Sequence, residues 1–135
     1  MNTTERGNAT EGAVLAALMR SGRIVLVPFG LQTDYDLVFE RDGKFWKVQC
    51  KTGRVRHGAI LFNLYTVKQD KETGKYKCRP YRERVDFYGV YCEEVGRTFL
   101  VPSSDVGVNM GSLRLIPTKS GRKKGIRLAE DYELK

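Results

Sequence analysis

The dipeptide Asp42-Gly43 sits between two runs that alternate in strand fashion, Tyr35–Arg41 and Lys44–Lys51. A two-residue hairpin loop needs positive φ at both central positions, and Asp-Gly accepts that readily. Loop length then dictates register. Arg41 faces Lys44, Phe39 faces Trp46, Leu37 faces Val48 and Tyr35 faces Cys50. These pairs make one almost wholly apolar face, and a slip by one residue would turn every member of it outward. On the other face Asp36 lands opposite Gln49, with Cβ atoms roughly 4.5–5.5 Å apart. Lys51 points to the same face at the same end, and so does Asp34 by the same alternation. Farther along, Val38 and Phe45 offer apolar surface against which a helix could pack.

That helix is expected at about 9–21, from the spacing of Val14, Leu15, Leu18 and Met19, with Asn8 as N-cap and Ser21-Gly22 as the stop. Glu11 continues its apolar stripe, so it would reach Asp36 if the helix covers that side of the hairpin. The alternative for Glu11 is a capping box, because Asn8-x-x-Glu11 has the right spacing for one.

Strand-like runs also occur at Ile24–Phe29, Val85–Cys92 and Thr98–Val101. Ala59–Val67 and Tyr76–Tyr81 read as one long hairpin about a polar turn. A short helix near 103–107, a strand at Leu113–Ile116 and a basic tail complete the chain. One helix on a mostly antiparallel sheet is an α+β domain, and 135 residues suit a single domain. With 41% apolar and 30% charged residues it is not a disordered tail. No apolar run approaches the ~18 residues of a membrane span, and the N-terminus lacks the apolar stretch of a secretory signal. Cys50, Cys78 and Cys92, odd in number and without CxxC spacing, read as reduced thiols of a cytoplasmic protein.

Two carboxylates, a carboxamide and a lysine suit one chemistry well. Mg²⁺ takes hard oxygen ligands, often one or two carboxylates plus substrate phosphate, and keeps several waters. Bound there, it would activate water for phosphodiester hydrolysis while Lys51 offsets charge growing on the phosphate. The plainer alternative is a surface Asp36–Lys51 salt bridge in an ordinary hairpin.

The order Glu11, Asp36, Gln49-Cys50-Lys51 resembles the PD-(D/E)XK nuclease superfamily. Gly7–Glu11, Gln49–Gly53, Val85–Tyr91 and Lys124–Tyr132 together resemble its group I intron-associated homing endonuclease branch over nearly the whole chain. The resemblance implies a restriction-endonuclease-like core, with the helix on a mixed, mostly antiparallel sheet and an added hairpin. It implies catalytic roles for Glu11, Asp36, Gln49 and Lys51. Glu11, Asp36, Gln49 and the Cys50 carbonyl would be metal ligands, for Mg²⁺ or, in substitution, Mn²⁺. Gln49 stands where the superfamily usually has Glu or Asp, which makes a second tightly bound metal less secure. The motif's opening proline is absent, so Asp34 is a reserve candidate for the motif aspartate.

The net charge of +8 is uneven: residues 1–53 hold 7 basic and 6 acidic side chains, and residues 54–135 hold 17 and 10. Such an excess favours a polyanion, most commonly nucleic acid. Arg54, Arg56 and His57 follow the site directly. Lys68, Lys71, Lys75 and Arg79, with Tyr65, Tyr76 and Tyr81, populate the long hairpin, and a two-stranded ribbon fits the DNA major groove. Arg122, Lys123 and Lys124 suit a phosphate-contacting loop. The alternative for the hairpin is a solvated edge blunted by lysines. One site per chain and two strands to cut imply a homo-oligomer, a dimer or tetramer. The expected function is site-specific cleavage of double-stranded DNA. The alternatives are a Holliday-junction resolvase, on the same fold, and a non-catalytic nucleic-acid-binding module.

Overall fold

The computed structural model describes residues 1–30, 33–80, 83–116, 120 and 125–135, leaving out the side chains of 67–69 and 77–80. It opens with helix α1 (Thr3–Arg20), followed by β1 (Ile24–Leu26), β2 (Leu37–Arg41) and β3 (Lys44–Thr52). Then come β4 (Arg54–Arg56), β5 (Ala59–Asn63), β6 (Tyr65–Gln69), β7 (Tyr76–Pro80), β8 (Phe87–Cys92), β9 (Arg97–Pro102) and β10 (Met110–Arg114). The main sheet has the order β1-β2-β3-β8-β9; β3 and β8 run parallel and every other pair is antiparallel. A smaller sheet, β10-β5-β4, and the β6–β7 hairpin complete the fold.

The first hairpin has the expected register, from Leu37 opposite Val48 to Arg41 opposite Lys44. Asp42 and Gly43 adopt φ of 54° and 75°, as a two-residue turn demands. The helix begins six residues earlier than expected. Asn2 is its N-cap, with Oδ1 accepting the Glu5 N–H at 2.8 Å. Asn8 is therefore interior and Glu11 lies well past the first turn, which removes the capping-box reading of Glu11. The expected Ser21-Gly22 stop holds: Ser21 is the C-cap and Gly22 has φ of 88°.

The side on which the helix packs also differs. Thr10, Val14 and Leu18, spaced by four, form its buried stripe. Val14 and Leu18 pack with Leu37, Phe39, Val48 and Leu100, on the hairpin's larger apolar face. Phe45, which was expected to face the helix, is 60% exposed on the other side. Area favours that side, since Leu37, Phe39, Trp46 and Val48 offer more apolar surface than Val38 and Phe45, and Leu100 of β9 completes the seat. Gly89 of β8 makes the close approach possible. A Cβ there would lie 2.5 Å from Val14 Cγ1 and 3.1 Å from Val48 Cγ1.

On the opposite face Ile60, Phe62, Leu64 and Leu113 join Tyr88, Val90, Phe99 and Val101 in a second cluster. This cluster divides the long hairpin expected over 59–81. Leu64 is fully buried, and its amide bonds the Asn109 carbonyl at 2.9 Å. Residues before it belong to the core, and β6–β7 forms a two-stranded ribbon of its own. Near 103–107 the chain makes a 3-10 turn at Ser103–Asp105 in place of a helix, and β10 starts three residues before the expected strand. Cys50 and Cys92 are free thiols. Among the described residues, no helix is long and apolar enough to cross a membrane.

Candidate functional site

Regular β2–β3 pairing stops at Leu37, so Asp36 is not the ladder partner of Gln49 that strict alternation predicts. Its N–H bonds the Val48 carbonyl at 2.9 Å, and its Oδ2 accepts the Cys50 N–H at 2.9 Å. The carboxylate thus takes the place a strand carbonyl would fill, and it is held at the point where β3 reaches Lys51. Burial pushes the Asp36 pKa up; the Cys50 amide and the Lys51 ammonium oppose that without overcoming it.

Glu11 approaches from the helix side, the face opposite the one the sequence suggested. Its pKa is also raised, first by burial and then by repulsion from Asp36. The helix is pinned beside this pair: Thr10 is 3% exposed, and its Oγ1 lies 2.7 Å from Thr52 Oγ1. Those threonines adjoin Glu11 and Lys51 in sequence, so one hydroxyl pair links the two halves of the site.

Lys51 extends away from the helix. Its Nζ donates to Asn63 Oδ1 at 2.9 Å and to the Tyr65 carbonyl at 3.3 Å. Burial lowers its pKa to about 8, against the opposing pull of Asp36 and Cys50. Gln49 is half-buried and lies beside Tyr88 of β8. The Cys50 thiol is driven to the neutral form, by burial first and then by Asp36 and Glu11, so what Cys50 can offer a cation is its backbone oxygen. Asp34 is committed elsewhere, in an ion pair with Arg84.

Two clefts open around this strand end. One of about 240 Å³ is walled by Glu11 and Asp36 with Val27, Pro28, Gly30, Thr33 and Tyr35. The other, about 500 Å³, includes Arg6, Lys51, Arg54 and Arg56 and, among the described residues, no acidic side chain in its wall. Arg54 and Arg56 are thus placed beside the site as expected. His57 stands exposed at the β4–β5 turn with φ of 50°, followed by Gly58 with φ of 77°. Lys71 and Lys75 are exposed in the β6–β7 turn. Lys68 and Arg79 sit on that ribbon, opposite Lys77 and Thr66. Arg122, Lys123 and Lys124, with Tyr81, fall outside the described residues. Sequence reasoning missed Arg6, Asn63 and the Thr10–Thr52 link. Placing the N-cap at Asn2, where Asn2-x-x-Glu5 repeats the capping pattern, would have put Arg6 on the helix.

Among the described residues, no group of three or more His, Cys, Asp or Glu is placed to hold a metal ion. The donor set is two carboxylates, with the Gln49 carboxamide and the Cys50 carbonyl alongside. That set fits a hard cation completed by water and phosphate, not zinc. Two partly buried, mutually repelling carboxyls at one strand end also create the negative potential such a cation relieves.

A family model described as PD-(D/E)XK endonuclease matches residues 1–135. No curated protein matches the chain. Among solved structures, the bacterial homing endonuclease I-Ssp6803I aligns with a TM-score of 0.74, at 23% identity, over 98% of this chain and 89% of that one. At that identity the likeness speaks for the fold, and it bears out the α+β, restriction-endonuclease-like reading. With its family model matched from end to end and its fold shared, this chain belongs to the PD-(D/E)XK endonuclease family.

Proposed function

We propose that this endonuclease is Mg²⁺-dependent and site-specific for double-stranded DNA, in the manner of a homing enzyme. The carrying observation is the joint placement of the Glu11–Asp36 pair and Lys51, beside a cleft that, among the described residues, is walled by four cations and no acid. Such a wall accepts a polyanionic backbone, and the carboxylates beside it would repel one unless a cation intervened.

Glu11, Asp36, the Cys50 carbonyl and the Gln49 carboxamide would hold the metal. When bound, Mg²⁺ supplies a Lewis acid for the phosphate and a more acidic water; Mn²⁺ is the expected substitute. The chain's own residues do the rest. Lys51, protonated below about pH 8, donates to a phosphate oxygen as charge builds there. Arg54 and Arg56 hold the backbone on one side and Arg6 on the other. The water oxygen bonds to phosphorus, one ester P–O bond breaks, and the leaving oxygen takes a proton. Lys71, Lys75 and the rest of the β6–β7 ribbon extend the grip along the duplex. Two strands to cut and one site per chain call for a dimer or tetramer, working in a cytoplasm that keeps Cys50 and Cys92 reduced.

Incubating the protein with a panel of DNA, with and without Mg²⁺, tests this reading. The panel comprises a randomised duplex library, plasmid and four-way junctions. Cleavage of a defined subset of duplexes only with Mg²⁺ supports it. Sequence-tolerant cutting confined to junctions replaces it with junction resolution, and metal-independent binding without cleavage replaces it with a binding module.

A further inference from the structure

On the face of the main sheet away from α1, the register forms a small grid. Ile24, Glu40 and Phe45 make one row across β1, β2 and β3, and Leu26, Val38 and Lys47 make the next. The core layer beneath β8 and β9 does not cover it: Ile24 is 61%, Leu26 40% and Phe45 60% exposed. The loop leaving β1 adds Phe29, which is entirely exposed, and residues 24–33 contain no charged side chain. A chain of net charge +8 has therefore kept one neutral, apolar region next to the cleft that Glu11 and Asp36 wall. Leaving that much apolar area in water costs free energy and marks a protein contact surface. It is the wrong composition for a DNA backbone, whose contacts are basic and polar.

We infer that this face, with Phe45 at its centre, is where a second copy of the chain docks. The occupant is argued from charge. Glu40 and Lys47 are the grid's only charged side chains, and they are of opposite sign on diagonal positions. A two-fold axis lying in the plane of the face, along the diagonal from Phe45 to Val38, sets Phe45 on its own counterpart. It also sets Glu40 over Lys47 of the second copy, and the reverse, so the patch is complementary to itself. The active-site lip at Val27–Gly30 leads off the same strand, so the pairing brings two cleavage sites to one assembly. This rests on the endonuclease reading for its purpose, but its test does not.

Sedimentation across a concentration series, without DNA or metal, reads the self-association directly. Wild-type protein is expected to dimerise. Phe45→Lys and Glu40→Lys should each raise the dissociation constant at least about tenfold, because a charge is buried against apolar surface or set against its like. The double variant Glu40→Lys/Lys47→Glu should restore association. All these positions are exposed or half-exposed, so each monomer's melting temperature reports whether the fold is intact. Variants that associate as wild type does, failure of the double variant to recover, or a wild-type chain that stays monomeric would each overturn the inference. Failure of the nuclease reading would show separately, as an intact dimer that cuts no DNA.

Discussion

Replacing Gly89 with alanine is a change of one methyl group at the point where helix and sheet meet. The new Cβ would stand 2.5 Å from Val14 Cγ1, closer than real contacts allow, and a tight 3.1 Å from Val48 Cγ1. Val14 and Val48 are fully buried and β-branched, so neither can swing aside within the helix–sheet interface. Overpacking a filled core costs about 1–3 kcal/mol. Losing glycine's freedom in the unfolded chain returns about 0.4–1 kcal/mol, since no positive φ opposes alanine there. The net expectation is a loss of roughly 0–2.6 kcal/mol, or a few degrees of melting temperature for each kcal/mol at this length. Because relief must come from the helix moving outward, Glu11 moves with it, and cleavage should slow by more than the unfolded fraction explains. Urea denaturation measures the first effect and single-turnover cleavage the second. Adding Val14→Ala makes room, so the double variant should be less impaired than the two single losses together predict. A neutral or stabilised Gly89→Ala protein with wild-type cleavage would refute the idea that this contact seats the helix.

Three further outcomes follow from the site's electrostatics. Lys51 has a pKa of about 8 against an ordinary 10.5, so between those values the unfolded chain holds a proton that the folded one releases. Stability should therefore rise with pH across that window, and Lys51→Met should remove that part of the rise in a urea-midpoint series. Glu11 and Asp36 have raised pKa values, so their charged forms strain the fold at neutral pH. Glu11→Gln should raise the metal-free melting temperature while reducing the upward shift that Mg²⁺ gives wild-type protein; a Mg²⁺ shift of undiminished size would remove Glu11 from the metal site. Asp34→Ala breaks only the partly exposed pair with Arg84. It should cost about 0–1 kcal/mol by urea denaturation and leave the cleavage rate within a few-fold of wild type.

The first hairpin was legible because a two-residue turn and an alternating pattern both act locally, and together they allow one register. From it the positions of Asp36 and Lys51 at one strand end followed. The helix's covered face was not legible from the hairpin alone, because both faces carry apolar residues and the choice depends on what β8 and β9 add. Gly89 and Leu100 decide it, and they lie some forty residues or more away in sequence. The Asp36 carboxylate's bond to the Cys50 amide was equally hidden, since it exists only where the ladder fails. Leu64 broke the long hairpin for the same kind of reason: its burial is a tertiary fact, while local alternation runs on through it. Asp34 and Asp36 are alike by alternation; Arg84 draws the first away, while the Cys50 amide holds the second.

In the proposed reaction Asp36 is the carboxylate around which the metal and water are arranged. Single-turnover cleavage of one duplex substrate in Mg²⁺, comparing wild-type protein with Asp36→Asn, tests that most directly. The substitution keeps size and an oxygen able to accept the Cys50 amide, so folding and DNA binding should persist. Cleavage should fall by at least about a thousandfold, as when a metal ligand and its charge are removed together. An Asp36→Asn protein that binds DNA and cuts it within tenfold of the wild-type rate would contradict the account.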